Sequence, residues 1–530
     1  MRLSLFVQLA CALPLVIGQG AVFHWPDPLL DSIEAQLYVD HLSPLSTATL
    51  NCRTRDLSTV AAQWLRMGFH DMATHDKETG KGGLDASIIY ELARAQNVGL
   101  GMRKTLVDYL SSPNEYVGMA DVIAMGVVMS VFGCGGPIIP FRAGRLDAHE
   151  AGPEIVPQPD QDLDSHRAAF VRMGFNESEM IALTACGHTL GGVRTVDFPD
   201  IIDVNKPPRL VGIAFQVPIT FDNSVVTEYL DNSTINPLVV GPNMTMASDF
   251  RIFNADKNVT MQKLADPKTY NSVCADLIAR MIDVVPSNVK LTDPILPIDY
   301  KVQNTFLFPQ GGSLAFLATL RTLQPQNEDI RAALAAPIRN VTLRWASRTG
   351  NFCPPEGCAA ESFLLDYDTG SAMAELSGVA QWAYYHFNAT VDLKTSISHF
   401  WFEIDPKNGT APYVVDNHGT NFTIEQDTLL YDARRSEYTP QKYTMVAAVK
   451  NQGLASVSTF STIQGSPLDH IPVNGSATIH FTLDPKHPPK DGYTFYSGTI
   501  SEKSLSNTLH ATVGGKKFSQ WVPVLSTTGV

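Results

Sequence analysis

The chain has no surplus of basic residues. Its 530 residues include 39 Lys and Arg against 53 Asp and Glu, which gives a formal net charge of -14 at pH 7. No basic patch is present that would release counterions from nucleic acid or from an anionic bilayer. The composition therefore predicts a protein with no nucleic-acid or membrane partner, and we expect a monomer.

Long hydrophobic runs are also missing after the first residues. Met1 and Arg2 precede an apolar stretch that ends near Gly18, which is typical of a signal peptide and too short to span a membrane comfortably. Residues 1–18 are thus predicted to be a signal peptide, and the mature protein is predicted to be secreted and extracellular. Asn-x-Ser/Thr acceptors agree with this route and predict a glycoprotein. They lie at Asn176, Asn232, Asn243, Asn258, Asn340, Asn388, Asn408, Asn421 and Asn474.

Cysteine is scarce, and no cysteine spacing resembles a zinc site. Cys11 would leave with the signal peptide, so an even number remains for disulfide bonds in an oxidising compartment. The remaining cysteines are Cys52, Cys134, Cys186, Cys274, Cys353 and Cys358. Cys353 and Cys358 bracket a tight Pro-Pro-Glu-Gly turn and could close a small ring. The other pairings do not follow from the sequence, and Cys52 with Cys134 is our first hypothesis.

Repeats and low-complexity tracts are absent, but the two parts of the chain differ in pattern. Helical periodicity predicts helices over 58–69, 86–95, 120–131, 161–173, 177–186 and 270–283. After a proline-containing linker, alternating β-branched and aromatic residues predict strands over 340–345, 398–404, 443–449, 477–483 and 493–497. We therefore predict a mainly α domain over 19–292 and an all-β sandwich domain over 293–530.

Arg66 and His70 are four residues apart in an apolar, helical segment, so both side chains project from one face. A fixed cation beside an imidazole suits the handling of a small polar molecule. Without further context, such a pair is most often a surface feature. Asn97 could hold one nitrogen of His70 as a donor, although an Asn before a glycine turn is more often a helix terminator.

Hard oxygen ligands follow His70 closely. Asp71, the Gly83 carbonyl, Asp85 and Ser87 lie near enough along the chain to wrap one calcium ion. The alternative is a solvated turn with incidental acids.

A second landmark is the apolar helix that ends at His188. Asn176 and Glu179 form a plausible capping pair at its start, and glycines after His188 end it. A histidine in this position suits a haem ligand, although a lone one would more often be a satisfied core residue.

Together these segments resemble the plant, fungal and bacterial haem peroxidase superfamily over roughly residues 45 to 295. The matching motifs are RMGFHD (66–71), GLDAS (83–87), QNVGL (96–100), FRAGRLD (141–147) and ACGHTL (185–190). Secretion, the lack of a Trp directly before His70 and the QNVGL motif are most similar to the secreted fungal class. The segment around His188 is closer to intracellular ascorbate peroxidases.

The resemblance implies a role for each matching residue. His188 would ligate the iron of haem b, with Asp249 as the partner of its other nitrogen. His70 would move a proton of hydrogen peroxide, and Arg66 would stabilise the charge that develops as the O–O bond breaks. Asn97, backed by Glu91, would keep His70 basic.

The resemblance also implies cation sites. Asp71, Gly83, Asp85 and Ser87 would form a distal calcium site. Thr189, Thr220 and Asp222 match part of a proximal cation site, but Phe215 and Val217 stand where oxygen ligands are expected, so this site is degenerate.

Features of two specialised subgroups are missing. Thr59 and Gln63 replace the acids of a manganese site, and Leu183 replaces a surface Trp of the lignin-oxidising subgroup. The sequence therefore predicts a peroxidase that reduces hydrogen peroxide and oxidises small phenolic or aromatic donors. The alternative is an extracellular or cell-wall binding glycoprotein whose β-domain carries the function, with a weakly active or vestigial peroxidase fold.

A carbohydrate platform in the β-domain would support binding of cell-wall polysaccharide. Its candidate residues are Trp382, Tyr384, Tyr385, Trp401 and Phe402. Aromatic residues in strands are more often core residues.

Overall fold

A computed structural model describes most of the chain after residue 19. The described residues are 20–39, 43–56, 58–202, 212–216, 219–325, 339–350, 353, 357–439, 442–451, 455–501 and 503–522. The predicted signal peptide, residues 1–18, lies outside them, and the predicted domain limits at 19, 292 and 293 stay predictions. No helix among the described residues is long and apolar enough to cross a bilayer.

The N-terminal half is helical. Its α-helices are α1 (Pro28–Glu34), α2 (Pro44–Thr49), α3 (Val60–Met72), α4 (Leu100–Tyr109), α5 (Met119–Gly133), α6 (Leu163–Met173), α7 (Glu177–Gly187), α8 (Ser224–Leu230), α9 (Pro237–Val240), α10 (Ser248–Phe253), α11 (Val259–Leu264) and α12 (Pro267–Ile282). Two small ladders join β1 (Thr54–Arg55) to β2 (Ser58–Thr59) and β3 (Gly192–Arg194) to β4 (Gly212–Ala214).

Most predicted helices are present, but the one over 86–95 is wrong. Only a 3-10 turn forms, at Ser87–Tyr90, preceded by Ala86 with a left-handed φ of 62°. The Asp71 carboxylate accepts the backbone N–H groups of Ala86 (2.8 Å) and Ile88 (2.9 Å). A side chain that takes backbone donors in this way competes with helix formation.

Local sequence fixes the helices that carry the candidate site. The Thr59 side chain caps α3 by accepting the N–H of Ala62 at 3.0 Å. Asn176 and Glu179 form the capping box of α7, as predicted. At Gly68, α3 runs so close to the buried helix α5 that a Cβ would lie 2.3 Å from Val127 Cγ2. The missing side chain therefore sets the distance between α3 and α5.

Disulfide bonds tie these helices together. Cys52–Cys134 joins the segment before α3 to the end of α5, which confirms our first hypothesis. Cys186–Cys274 joins α7 to α12, and Cys353–Cys358 closes the small ring.

The described part of the C-terminal region is built from antiparallel strands, with a short helix, α13 (Ala372–Leu376). The strands are β5 (Tyr300–Gln310), β6 (Ser313–Pro325), β7 (Asn340–Ser347), β8 (Ala359–Glu361), β9 (Leu364–Asp368), β10 (Val379–Val391), β11 (Ile397–Asp405), β12 (Tyr413–Val415), β13 (Phe422–Thr423), β14 (Leu429–Tyr431), β15 (Glu437–Thr439), β16 (Lys442–Lys450), β17 (Ala455–Ile463), β18 (Gly475–His480), β19 (Thr482–Leu483), β20 (Tyr493–Ile500), β21 (Ser504–Val513) and β22 (Lys516–Val522). The predicted fold class, a mainly α domain followed by β structure, is confirmed.

The β region contains two pairs of sheets instead of one simple sandwich. Sheets β5-β6-β10-β9 and β12-β11-β7-β8, with β13 on β11, share one apolar core. Sheets β14-β16-β20-β19, with β15 on β16, and β18-β17-β21-β22 supply most of a second core. Trp382, Tyr385 and Phe402 are buried, which leaves these aromatic residues no place in a carbohydrate platform.

A buried ion cluster joins the helical half to the β region. Glu34 at the end of α1 accepts hydrogen bonds from Lys301 Nζ and Arg321 Nη1, both at 2.9 Å, and all three side chains are fully buried. Burial alone would raise the pKa of Glu34, but the two cations outweigh it and hold the pKa at about 2. The Arg321 guanidinium also lies 3.9 Å above the Trp382 ring centroid.

The first described residues reach into the β region as well. The Trp25 N–H donates to Asn417 Oδ1 at 2.8 Å, and Asn417 Nδ2 donates back to the Trp25 carbonyl at 2.9 Å. The Trp25 ring packs against Phe400 and Phe422. Trp25 is thereby held against β11 and β13.

Candidate active site

A cavity of about 280 Å³ lies between α3 and the end of α7. His70 and Arg66 line it from α3, and His188 lines it from the residue after α7. Much of the remaining wall is apolar, and includes Phe170, Leu190, Phe198, Phe215, Leu238 and Met281. The cavity is therefore a largely apolar space with a few polar groups placed in it.

Asn97 fixes the orientation of His70. Asn97 Nδ2 donates to the backbone carbonyl of Glu91 at 3.0 Å, so its Oδ1 faces His70 Nδ1 at 2.8 Å. An amide oxygen only accepts, so Nδ1 carries the proton and Nε2 keeps a lone pair. The Glu91 carboxylate does not take part, because it accepts the Gly152 N–H (2.8 Å) and pairs with Arg94 (3.1 Å). The support that the sequence predicted from Glu91 comes from its backbone.

The surroundings of His70 disfavour its protonated form. Burial and the Arg66 charge lower its pKa to about 3, although the hydrogen bond to Asn97 acts in the opposite direction. At neutral pH, His70 is thus a neutral imidazole with an available acceptor nitrogen.

Arg66 is a fixed cation one turn before His70. Its Nη1 donates to the Val98 carbonyl at 3.0 Å and its Nη2 to the Gln96 carbonyl at 3.1 Å. Burial lowers the pKa of Arg66 to about 10, while the Asp197 charge raises it, so the guanidinium stays charged at neutral pH. Its positive charge is therefore available beside His70 without rearrangement.

Asp249 orients His188. His188 Nδ1 lies 2.8 Å from Asp249 Oδ2, and the buried Asp249 carboxylate also accepts a hydrogen bond from Asn236 Nδ2 at 2.7 Å. Phe215 stacks on the His188 ring at 4.5 Å between centroids. The described residues give His188 Nε2 no hydrogen-bond partner, so this nitrogen is left for a ligand in the cavity.

The donor set fits a haem group. Two imidazoles, each oriented through Nδ1, line one apolar cavity, and only His188 has a carboxylate partner that increases its strength as an iron ligand. Arg194 also lines the cavity, and its buried Nε has no hydrogen-bond partner among the described residues. A cationic side chain with a spare donor suits an acidic substituent on a ligand.

The predicted distal calcium ligands lie together beside His70. Asp71 is fully buried, and burial together with the Asp85 charge raises its pKa well above the usual range. Asp85 accepts the Ser87 N–H at 3.1 Å, and burial raises its pKa too. At Gly83, with a φ of 120°, a Cβ would lie 2.7 Å from the Val284 carbonyl oxygen, so only glycine fits.

Asp71 and Asp85 are adjacent buried carboxylates, and no Lys or Arg in the described part of the chain pairs with them, which makes a suitable environment for calcium. Among the described residues, no group of three or more His, Cys, Asp and Glu side chains has the arrangement of a metal site. Calcium here would therefore also need hydroxyl and carbonyl oxygens.

The predicted proximal cation residues also lie together, but a buried amide fills the space between them. Thr189 Oγ1 donates to the Asp222 carbonyl at 2.7 Å, and Thr220 Oγ1 donates to Asp222 Oδ2 at 2.5 Å. Gln216 Nε2 donates to the Thr220 carbonyl (2.6 Å) and to Asp222 Oδ1 (3.3 Å), while its Oε1 accepts the Val225 N–H at 2.5 Å. An amide N–H thus occupies the oxygens that a cation would need, and a cation does not fit. Val217 lies outside the described residues.

Replacing Gln216 with leucine should lower the free energy of unfolding by roughly 2 kcal/mol, because buried partners lose their hydrogen bonds.

Wild-type protein should show the same Tm in potassium chloride and in sodium chloride of equal ionic strength, measured by differential scanning calorimetry. A higher Tm in potassium chloride would show that the cluster still binds a cation.

Two charged residues that line the cavity, Arg194 and Asp197, were not identified from the sequence. Arg194 Nη1 pairs with Asp197 Oδ2 at 3.1 Å, and a Cβ on Gly99 would lie 3.1 Å from the same carboxylate oxygen. The only signal was a pair of opposite charges soon after the glycines that end α7. That signal does not reveal that the pair lines the cavity or that Asp197 packs against Gly99.

Comparison with known proteins shows which family the helical half resembles. The peroxidase family model matches residues 47–266. A WSC domain-containing protein of Arthroderma benhamiae is 36% identical over 393 residues, which are 71% of this chain and 52% of that protein. The peroxisomal L-ascorbate peroxidase 5 of Arabidopsis thaliana is 33% identical over 172 residues, which are 32% of this chain and 58% of that protein.

A mitochondrial cytochrome c peroxidase of Cryptococcus neoformans is 32% identical over 155 residues, which are 28% of this chain and 40% of that protein. The chain thus spans between 40% and 58% of the length of these relatives. The matches to the two peroxidases are shorter than the match to the Arthroderma protein. The Arthroderma match is longer than the helical half, so it also covers part of the β region. Residues 47–266, which carry His70 and His188, form a domain of the peroxidase family.

Proposed function

We propose that this chain is a secreted haem peroxidase that reduces hydrogen peroxide and oxidises small phenolic or other aromatic donors in one-electron steps. The observation that carries the proposal is the pair of oriented imidazoles, His70 and His188, in one apolar cavity. Asn97 leaves His70 as a base, and Asp249 makes His188 a strong iron ligand. The peroxidase-family domain supports peroxidase-type chemistry.

Haem b, held by His188 Nε2, would supply the redox-active iron at which peroxide is reduced. His70 Nε2 would take a proton from the bound hydrogen peroxide and return it to the departing oxygen, which leaves as water. Arg66 would stabilise the negative charge that develops as the O–O bond breaks. Asn97 keeps the proton of the neutral imidazole on Nδ1, so the reactive proton moves only at Nε2.

Asp249 and the distal carboxylates would not contact peroxide. They would support the reaction by holding His188 and the end of α3 in place. An accepting carboxylate gives the His188 ring anionic character, which strengthens its bond to iron and disfavours reduction of the metal. Asp71, Asp85, Ser87 and the Gly83 carbonyl would hold calcium and fix the end of α3 that carries His70.

We propose small donors because the residues at the positions of a manganese site and of a redox-active surface Trp do not fit those roles. Thr59 is buried and caps α3, and Gln63 Oε1 accepts a hydrogen bond from Arg55 Nε at 2.8 Å, so neither is placed to hold manganese. Leu183 is buried and not redox-active. Donors would therefore react at the cavity opening. The ascorbate and cytochrome c named for the relatives are the donors to test beside phenols.

Secretion is supported by the apolar N-terminal pattern and by the disulfide bonds, which persist in oxidising compartments. The alternative, a cell-wall binding glycoprotein with a vestigial peroxidase fold, is less well supported. The hydrogen bonds that the proposed reaction needs are all present. They join His70 to Asn97 and His188 to Asp249, and they hold Arg66 on the Val98 carbonyl.

The full chain, expressed through a secretory pathway and supplied with haem, should show a Soret band that shifts when hydrogen peroxide is added. Absorption spectroscopy checks both results, and circular dichroism confirms that the protein is folded. A phenol should then return the spectrum to that of the resting protein. If correctly folded protein takes up no haem, the proposal is wrong.

A further inference from the structure

Strand β11 of the β region carries aromatic side chains on both of its faces. Phe400 and Phe402 are fully buried and belong to the core that β11 shares with the sheet β5-β6-β10-β9. Trp401 lies between them in the sequence, so its side chain projects from the opposite, outer face of the sheet. Trp401 is partly exposed there and does not belong to that core. The outer face of β11 therefore presents an indole ring that the apolar core does not contain.

The neighbours of Trp401 on the outer face are polar side chains. The His399 ring stacks beside the Trp401 ring, with 5.9 Å between the centroids and 29° between the planes. Arg344 on β7 lies directly across from Trp401, and Glu403 follows two residues later on β11, so both side chains share its face. Arg344 Nε donates to Glu403 Oε2 at 3.0 Å. These four residues, His399, Trp401, Glu403 and Arg344, form one surface, which we name the Trp401 platform.

The Trp401 platform has the groups that a pyranose ring needs. A pyranose has a face of C–H groups, which packs on an aromatic ring, and a rim of hydroxyl groups, which donate and accept hydrogen bonds. Trp401 offers the aromatic ring. The Arg344 guanidinium supplies N–H donors, and the Glu403 carboxylate supplies acceptors, both beside that ring.

The charges of the platform favour a neutral saccharide. Arg344 and Glu403 form an ion pair, so neither of their charges is left for a charged ligand. Thr342 lies between Glu403 and Glu361 in the sheet and donates to Glu361 Oε1 at 3.3 Å. The Glu361 carboxylate would repel an acidic polysaccharide that lies across these strands.

We propose that the Trp401 platform binds a neutral polysaccharide of β-linked pyranose rings, such as a β-glucan. In β-linked glucose the hydroxyl groups are equatorial, which leaves flat C–H faces for stacking on the indole. The residues that line the cavity between His70 and His188 all belong to the segment 58–281, so a polysaccharide on β7 and β11 would leave the cavity free. The inference goes beyond the proposed function, because this binding needs neither haem nor peroxide.

The full-length holoenzyme should bind cellohexaose in isothermal titration calorimetry. Trp401→Ala should raise the Kd roughly tenfold, because the stacking surface is lost. Trp401→Phe keeps an aromatic ring and should raise the Kd less than about threefold. Glu403→Ala should also raise the Kd, because a hydrogen-bond acceptor is removed. Tyr438, an aromatic residue that is 55% exposed on β15, provides the matched control, and Tyr438→Ala should leave the Kd unchanged.

Circular dichroism of each variant shows that it is folded, and Trp401→Ala should react with hydrogen peroxide as fast as the wild type. Absence of cellohexaose binding by the wild type, or an equal loss in Trp401→Ala and Tyr438→Ala, would overturn the inference. Tighter binding of a galacturonic acid hexamer than of cellohexaose would overturn the assignment of a neutral ligand. Failure of the wild type to react with peroxide would instead overturn the proposed function, and stopped-flow absorption without saccharide measures that reaction separately.

Discussion

Replacing His70 with leucine should leave haem bound and slow the reaction with hydrogen peroxide by roughly 10²- to 10⁴-fold, the usual contribution of a positioned acid and base. Leucine removes the acceptor Nε2 but touches neither His188 nor Asp249, so the Soret band of the resting protein should remain. Stopped-flow absorption without an electron donor measures the rate directly. His149, an exposed histidine, provides the control variant His149→Leu.

The pH profile distinguishes a proton-transfer role from a steric one. Because burial and Arg66 lower the pKa of His70 to about 3, the unprotonated form persists to low pH, and the rate should fall as the pH drops through about 3. In Arg66→Leu, loss of the cation should raise this pKa and move the fall to higher pH. A His70→Leu variant with undiminished peroxide reactivity would show that the distal role is misassigned.

Replacing Glu34 with alanine should lower the free energy of unfolding by roughly 3 to 5 kcal/mol, because Arg321 would remain buried without its carboxylate and Lys301 would keep only Asp31 as an acidic partner. Chemical denaturation followed by fluorescence measures the loss. Glu403, whose pair with Arg344 is largely exposed, provides the matched control, and Glu403→Ala should cost at most about 1 kcal/mol. Equal losses in the two variants would contradict the importance of the buried cluster.

Acid should weaken the same cluster in a defined range. The pKa of Glu34 is about 2 in the folded protein and 4.5 in the unfolded reference, so its stabilising effect is complete above pH 4.5. The effect is lost as the pH falls from there towards 2, because the unfolded chain binds the proton first. Stability of Glu34→Ala should therefore fall less over this range than that of the wild type.

Local signals in the sequence account for the elements that were predicted correctly. The capping box at Asn176 and Glu179 lies within the helix that it starts, so its pattern is sufficient. The helix predicted over 86–95 fails because Asp71, fifteen residues before Ala86, binds the N–H groups at its start. The pairing of the β-sheets depends on long-range packing, and strand patterns indicate single strands only.

In the site, too, local sequence patterns predict some residues, and contacts between distant segments decide the others. Arg66 and His70 are related by helical spacing, and the resemblance to haem peroxidases supplies the pairing of His188 with Asp249. Gln216 was not predicted, because its amide matters only when the loop brings it against Thr220 and Asp222. The sequence indicates Glu91 as the support for Asn97, but it does not show that the backbone carbonyl, and not the carboxylate, accepts the hydrogen bond.

The contacts of the first described residues have a consequence for the order of events during synthesis. Trp25 and its partner Asn417 are separated by 392 residues, and Glu34 and Arg321 by 287. On the ribosome, Trp25 and Glu34 must wait for these partners after residues 47–266 have already been made. During that interval, Glu34 lacks the buried cations with which it pairs, although the apolar side chains of α1, Leu30 and Ile33, belong to the core of the helical half. We therefore expect Trp25 and Glu34 to reach their final contacts only after Asn417 and Arg321 have left the ribosome.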